Sequence, residues 1–279
     1  LLLNVLSLTF LLSTPLILAA MGGLASERSG VINIALEGLM LTSACVACLV
    51  SLHHGPAAGL LAGLGASIAL SLVHWVATQV YQIDHVISGM AVNALAAGGT
   101  NYLFGRFGGG SSLEMPHFPA VWYTWTAVVL PVVIGLYLAR FRGGLHLLAV
   151  GNDPQKARLA GLNPLRIRWV ALLLTGVLAG LGGAMLVSYA GVFTDGMTAG
   201  RGYIALAALI LGGWRPGPTL IGCLAFGFLS AVRLQFQGVT LLGVQPPSQL
   251  WASLPYLATV IALAGFVGKI RTPSGLGKH

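Results

Sequence analysis

The stretch Arg140-Phe-Arg-Gly-Gly-Leu-His-Leu-Leu-Ala-Val-Gly-Asn-Asp-Pro-Gln-Lys-Ala-Arg-Leu-Ala-Gly-Leu-Asn-Pro-Leu-Arg-Ile-Arg168 carries six of the chain's 14 Lys and Arg residues and a single carboxylate, Asp153. Long apolar sequence flanks it on both sides. A basic island between apolar runs marks a loop that leaves a bilayer on the side where positive charge collects. Within it, Pro154 to Ala160 suits about two helical turns, because Pro is tolerated at a helix start and Gly161 can end one. A short helix outside the bilayer on the basic side suits the docking of a cytoplasmic partner.

Around that island, 56% of the residues are hydrophobic and 7% charged, with mean hydropathy +0.88. A soluble globule needs a more charged surface, and the apolar runs approach the ~20 residues that span a bilayer. These properties describe an all-α polytopic membrane protein. Nine candidate spans fall near 2–24, 31–52, 57–80, 84–104, 121–139, 168–190, 201–213, 218–236 and 251–267. With the island in the cytoplasm, alternation brings Arg28, Arg215, Lys269, Arg271 and Lys278 to the same side and leaves only Arg106, Arg201 and Arg233 elsewhere. The expected map has an external N-terminus and a cytoplasmic C-terminus. It sets Trp122, Tyr123 and Trp125 at the outer interface, and Trp169 and Trp214 at the inner one. The net charge of +8 is then a property of cytoplasmic loops, not a sign of nucleic-acid binding. Leu1 to Ala20 lacks the basic leading region of a cleaved signal and reads as a retained span. Cys45, Cys48 and Cys223 lie in apolar segments and imply no disulfide framework. His53, His54, His74 and His146 do not recur at ligand spacing with carboxylates or cysteines, so no metal is expected.

Two segments depart from a regular span. Arg201 to Gly213 is about 13 residues, roughly 20 Å as a helix against a ~30 Å core, which predicts a half-length or re-entrant element. Ser26-Glu-Arg-Ser-Gly-Val-Ile-Asn33 interrupts apolar sequence, and Ser29-Gly30 predicts a backbone break at membrane depth. Glu37 is the most unusual side chain, about two turns into the second expected span, with Asn33 four residues earlier on the same helix face. A carboxylate there costs about 3 kcal/mol on insertion scales, so it must face a bundle interior, a hydrated cavity or a partner. It either accepts backbone N–H groups or pairs with a base such as Arg28, or it lines a polar solute's path together with Asn33. Asn93, in Ile87-Ser-Gly-Met-Ala-Val-Asn93, can bond a neighbouring helix or a neutral hydrogen-bonding solute such as a purine or pyrimidine ring. Asp84 and His85 read as a solvated interface, and Asp195 and Arg201 as a pair across the mouth of the short span. Gly59-x-x-x-Gly63 and Gly176-x-x-x-Gly180 predict close helix contacts. There is no Gly-x-x-x-x-Gly-Lys-[Ser/Thr] loop and no credible Ser-His-Asp or Cys-His set, so the chain is read as a non-enzyme whose ATP, if used, is hydrolysed elsewhere.

Ser26-Glu-Arg-Ser-Gly-Val-Ile-Asn-Ile-Ala-Leu-Glu-Gly-Leu-Met40 resembles the N-terminal signature of permease subunits of nucleoside-type ABC importers, a branch of the branched-chain amino acid and ribose permease superfamily. Ala149-Val-Gly-Asn-Asp-Pro-Gln-Lys-Ala-Arg-Leu-Ala-Gly-Leu-Asn163 looks like that superfamily's cytoplasmic coupling segment. Gly202-Tyr-Ile-Ala-Leu-Ala-Ala-Leu-Ile-Leu-Gly-Gly213, with Gly217 and Gly222, is similar to its late Gly-rich region. One departure is Asn33-Ile-Ala35-Leu-Glu-Gly38, where the family usually has Gly in place of Ala35.

The resemblance implies the ABC importer permease fold as a single transmembrane domain over 1–279 with a coupling loop at 140–168, in the cell (inner) plasma membrane. It implies a second permease subunit in a heterodimer, a cytoplasmic ATP-binding protein holding ATP and Mg, and an extracytoplasmic substrate-binding protein or lipoprotein, with no cofactor in this chain. It implies that Gly151, Asn152, Ala157, Arg158 and Gly161 form or cap the surface that meets the ATPase. The implied substrate is a nucleoside or nucleobase moved by alternating access, with Asn33, Glu37 and Asn93 as path candidates. Relatives for simple sugars or branched-chain amino acids are the alternative. An ion-coupled secondary transporter would need several membrane-depth carboxylates, where this chain offers essentially Glu37 alone. The map predicts that a membrane-impermeant amine reagent leaves Lys156 unmodified in sealed right-side-out vesicles and reaches it only after permeabilisation, as read by peptide mass spectrometry.

Overall fold

The computed structural model describes residues 2–108 and 116–236, short pieces between 249 and 265, and 272–278. The expected ninth span at 251–267 falls largely outside the described residues, as do Lys269, Arg271 and most of the Gly108–Ser112 run. In chain order the described helices are α1 (Leu2–Arg28), α2 (Leu36–Trp75) with a π-helical continuation (Val76–Val80), α3 (His85–Phe107), α4 (Ala120–Arg140), α5 (Arg142–Asn152), α6 (Pro154–Leu159), α7 (Pro164–Ala190), α8 (Arg201–Leu211) and α9 (Pro216–Phe236). Helices α1, α2 with its continuation, α4, α7 and α9 are each long and apolar enough to cross a membrane. The protein is therefore a multi-pass, all-helical membrane protein.

Helix α2 is two spans folded on each other. Gly55 takes φ +80° and ψ 172°, a conformation that side chains other than glycine resist, and it interrupts the helix just before Pro56. Beyond it, Gly59 lies against Ala47 and Ser51, and Gly63 against Ser43 and Ala47, so the two arms run antiparallel at close range. The expected pair of spans at 31–52 and 57–80 is thus one helical hairpin.

Helix α7 is the seam of the bundle. Gly176 backs onto Ile68 and Gly180 onto Leu64 and Ser67, which lets the second arm of α2 approach α7 nearly backbone to backbone. Buried hydroxyls bond across the same seam: Ser67 Oγ donates to Gly176 O (2.8 Å), Ser71 Oγ to Leu172 O (2.7 Å) and Ser43 Oγ to Gly180 O (2.8 Å). On the other side Thr175 Oγ1 donates to Gly22 O of α1 at 2.8 Å. Both Gly-x-x-x-Gly expectations on these helices are met.

Two elements differ from the sequence reading. The second span starts at Leu36, because residues 31–35 stay outside the helix. Asn33 therefore does not share a helical face with Glu37. The basic island holds an additional helix, α5, which packs Leu147 and Val150 inward and leaves Leu145 exposed. Helix α8 spans 11 residues, roughly 16 Å, and is the half-length element expected there. Arg28, Ser29, Arg168, Trp214 and Lys278 meet at one end of the bundle: Arg28 Nε donates to Trp214 O (2.7 Å) and Arg168 donates to Ser29 O (3.1 Å) and Lys278 O (2.7 Å).

A Cβ at Gly176 would stand 2.7 Å from Ile68 Cα, with backbone on both sides and no side-chain end to yield. Gly176→Val is expected to cost about 1–3 kcal/mol through overpacking and to lower the melting temperature of the detergent-solubilised protein.

Candidate transport site and coupling surface

Between α1 and α2 the chain is unwound, and its polar groups are taken up by side chains from four other places. Glu27, 2% exposed at the end of α1, accepts a bond from Trp214 Nε1 and one from Asn33 N (3.5 Å). Asn33 is fully buried, and its Oδ1 accepts from Ala35 N (3.1 Å). Two histidines clasp Ile32. Its N–H donates to His85 Nδ1 (3.1 Å), and its carbonyl, which can only accept, receives His74 Nε2 (3.1 Å). His74 Nδ1 is then the acceptor for Ser88 Oγ (2.9 Å). Asn33 thus lies inside this buried joint, with its Nδ2 left without a hydrogen-bond partner among the described residues, apart from the surface on which Glu37 and Asn93 stand. The placements of His85 and Trp214 are also corrections: both are buried, where an interfacial position was expected.

Glu37 stands in the first turn of α2 and reaches across to α8. Its Oε1 accepts from Gly200 N (2.8 Å) and its Oε2 from Gly202 N (2.7 Å), the free N–H groups at the start of that helix. A carboxylate there satisfies orphan donors and lies at the positive end of the helix dipole. Arg28, its proposed basic partner, bonds Trp214 instead. Asn93, on α3, joins the same junction: Oδ1 accepts from Gly38 N (2.8 Å), while Nδ2 donates to Ile34 O (2.9 Å) and Tyr203 Oη (2.9 Å). Glu37 and Asn93 are half-buried and Tyr203 is 46% exposed. The structure therefore brings Glu37 and Asn93 together, leaves Asn33 behind, and adds Tyr203, whose place one residue inside the short span gave no sequence signal. Nearby on α3, Asn101 Nδ2 donates to Asp195 Oδ2 (3.4 Å), while Arg201 Nη1 donates to the carbonyls of Met197 and Thr198.

The segment read from sequence as a coupling loop is built on Asp153. Its Oδ1 accepts from Gln155 N (3.1 Å) and Lys156 N (3.0 Å), capping α6, and Pro154 fills the first helical position. The Lys156 backbone N–H, then its ammonium, hold the Asp153 carboxyl below its usual range. The cap is accordingly complete at neutral pH and is lost only as pH falls below the ordinary carboxylate range. Gly161 takes φ +83° and ends the helix. Asn152, Arg158 and Gly161 are exposed, whereas Gly151 and Ala157 are buried and form the inner support of this surface, Gly151 lying against Arg28 O. Leu159 is 89% exposed between them, an apolar side chain in water that residue type alone did not single out.

Residues 5–264 match the family described as branched-chain amino acid transport system / permease component. The chain belongs to this family. This permease is 32% identical to the guanosine ABC transporter permease protein NupQ of Bacillus subtilis, over 96% of this chain and 93% of that one. It is 31% identical to the nucleoside ABC transporter permease protein NupC of Lactococcus lactis, over 95% and 92%. The ribose import permease protein RbsC of Escherichia coli K12 is 29% identical over 82% and 74%. An ABC transporter of the metal-chelate type, solved in an inward-facing conformation, shares the fold at a TM-score of 0.57 and 15% identity, over 94% of this chain and 85% of that one. The permease family and fold implied by the Ser26–Met40 and Ala149–Asn163 motifs are thereby shown.

In the permease, Glu37→Gln leaves one amide oxygen for two N–H groups and removes the charge from the α8 terminus. It is expected to cost about 1–3 kcal/mol, measured as a lower melting temperature of the purified protein.

Proposed function

We propose that this permease is the transmembrane subunit of an ATP-driven importer that carries nucleosides or free nucleobases across the plasma membrane by alternating access. The observation that carries the reading is the near full-length similarity to permeases named for guanosine and for nucleosides, at 32% and 31% identity. The Asn93 and Tyr203 pair fits such a solute: Asn93 spends both N–H groups on Ile34 O and Tyr203 Oη, which leaves a lone pair on its oxygen and the Tyr203 hydroxyl hydrogen for a solute, beside a half-exposed ring that can stack on a base. Glu37 holds the α8 terminus beside that pair and acts by positioning it.

In this reading the chain has no ATPase site of its own. ATP and Mg belong to a cytoplasmic ATP-binding partner that grips α6, with Leu159 as the apolar anchor and Arg158 at its rim. A second permease completes the path in a heterodimer, and an extracytoplasmic binding protein or lipoprotein delivers the solute. In the same reading the complex sits in the inner membrane, and the end of the bundle that carries Arg28, α5, α6, Arg168 and Lys278 faces the cytoplasm, which the clustering of basic residues there supports. Similarity to a ribose import permease at 29% identity supports simple sugars as a second reading.

Purifying the complete complex with its binding protein and analysing the retained solute by mass spectrometry tests the substrate class: a nucleoside or base is expected, and a pentose or branched-chain amino acid would move the permease to the alternative. Arg158→Glu and Leu159→Asp are each expected to cut ATP-dependent uptake by about ten-fold or more while the amount of inserted permease is unchanged. Wild-type uptake in both variants would remove α6 from the motor contact.

A further inference from the structure

Residues 272–278 return to the basic end of the bundle and close there as a tight turn, with Leu276 N bonded to Pro273 O and Lys278 N to Gly275 O, both at 3.1 Å. From this turn, bonds go to three separate elements. Gly275 N donates to Gly151 O (3.0 Å) and Ser274 Oγ to Asn152 O (2.9 Å), both in the last turn of α5. Gly277 N donates to Gly30 O (2.9 Å) in the unwound loop between α1 and α2. Lys278 O accepts from Arg168 Nη2 (2.7 Å) in α7. Pro273 and Gly275 are buried, and Leu276 packs against the main core.

Arg168 is the clamp. Only 2% exposed, it donates through Nε to Ser29 O (3.1 Å), through Nη1 to Gln79 Oε1 (2.6 Å) and through Nη2 to the turn. Among the described residues no carboxylate pairs with it. A buried guanidinium without a counter-ion is tolerated only where its N–H groups are all directed at oxygen, so the turn is part of what makes this position habitable. The clamp therefore joins the coupling segment to the same unwound loop that leads, within a few residues, to Glu37 and Gly38 and so to α8 and α3.

We propose that the segment 273–278 is a hook within the coupling joint: it fastens the end of α5, and with it α6, to the α1–α2 loop, so that the motor contact and the loop above it move as one body. The proposal rests on the ATP-driven reading above and adds to it a positioning element outside α6. It also accounts for Gly275, where a Cβ would stand 2.7 Å from Gly151 O.

The test uses the complete transporter in proteoliposomes, with its binding and ATP-binding partners. Gly275→Val prevents the hook from seating. ATP hydrolysis is expected to stay within about two-fold of wild type, while solute moved per ATP falls about ten-fold. Solute moved per ATP that stays at the wild-type value, or uptake and hydrolysis that fall in proportion, would overturn the hook as a coupling element. If the variant does not assemble, hydrogen exchange in the wild-type complex decides. The amides of Gly275 and Gly277 are expected to stay protected in both the resting and the ATP-bound states, and exchange at the free-peptide rate in either state would overturn the one-body claim. A wild-type complex without ATP-dependent uptake sinks the functional reading and the hook together, whereas normal wild-type uptake with unaffected coupling in Gly275→Val sinks the hook alone.

Discussion

Wherever a membrane chain leaves helical geometry, its freed N–H and C=O groups must find partners inside the protein. In this permease that demand is concentrated in residues 29–35 and at the start of α8, and it accounts for several of the charged and strongly polar side chains within the bundle. His74 and His85 take the two backbone groups of Ile32, Arg168 takes Ser29 O, Asn93 takes Ile34 O, and Glu37 takes Gly200 N and Gly202 N. Each comes from a different helix than the group it satisfies. The unwound joint is consequently a meeting point of α1, α2, α3, α7 and α8, and none of these can shift without breaking bonds at the others.

This joint rests on a seam of small residues. Association of helices in lipid draws on close packing and interhelical bonds and gains nothing from the hydrophobic effect between them. The glycines of α7 permit contact with α2, and the serines of α2 convert that contact into bonds to α7 carbonyls. Helix α7 then carries Arg168 near one end of its length, at the end of the bundle where α5 and α6 lie. The pair proposed to meet the solute, Asn93 and Tyr203, lies across the α3–α8 contact that Glu37 braces.

Much of this was legible from residue order. Hydropathy and charge located the spans and the basic island, the Pro154 and Gly161 signals placed α6, the glycine spacings placed the seam, and the short run at 201–213 announced a half-length helix. A four-residue separation of Asn33 from Glu37 implies one helical face only if the helix extends back that far, and the backbone break runs through Ala35. Glu27 escaped notice because its partner, Trp214, is remote in sequence and was read as an interfacial anchor. Helix α5 lacks an N-cap side chain and opens on Gly143 and Gly144, so its local preference is weak and its existence depends on what it packs against. Arg168 looked like one more loop charge, since nothing in its neighbours reveals that three distant oxygens converge on it.

Leu159 exposes nearly all of its surface at the tip of a short, capped helix, next to Arg158. Such a side chain gains free energy only when something covers it, and on an unassembled subunit it is a sticky point open to chance association. Under the proposed contact at α6, copies of the permease without that partner would differ from assembled ones at this spot among others, a physical mark by which a cell could tell the two apart.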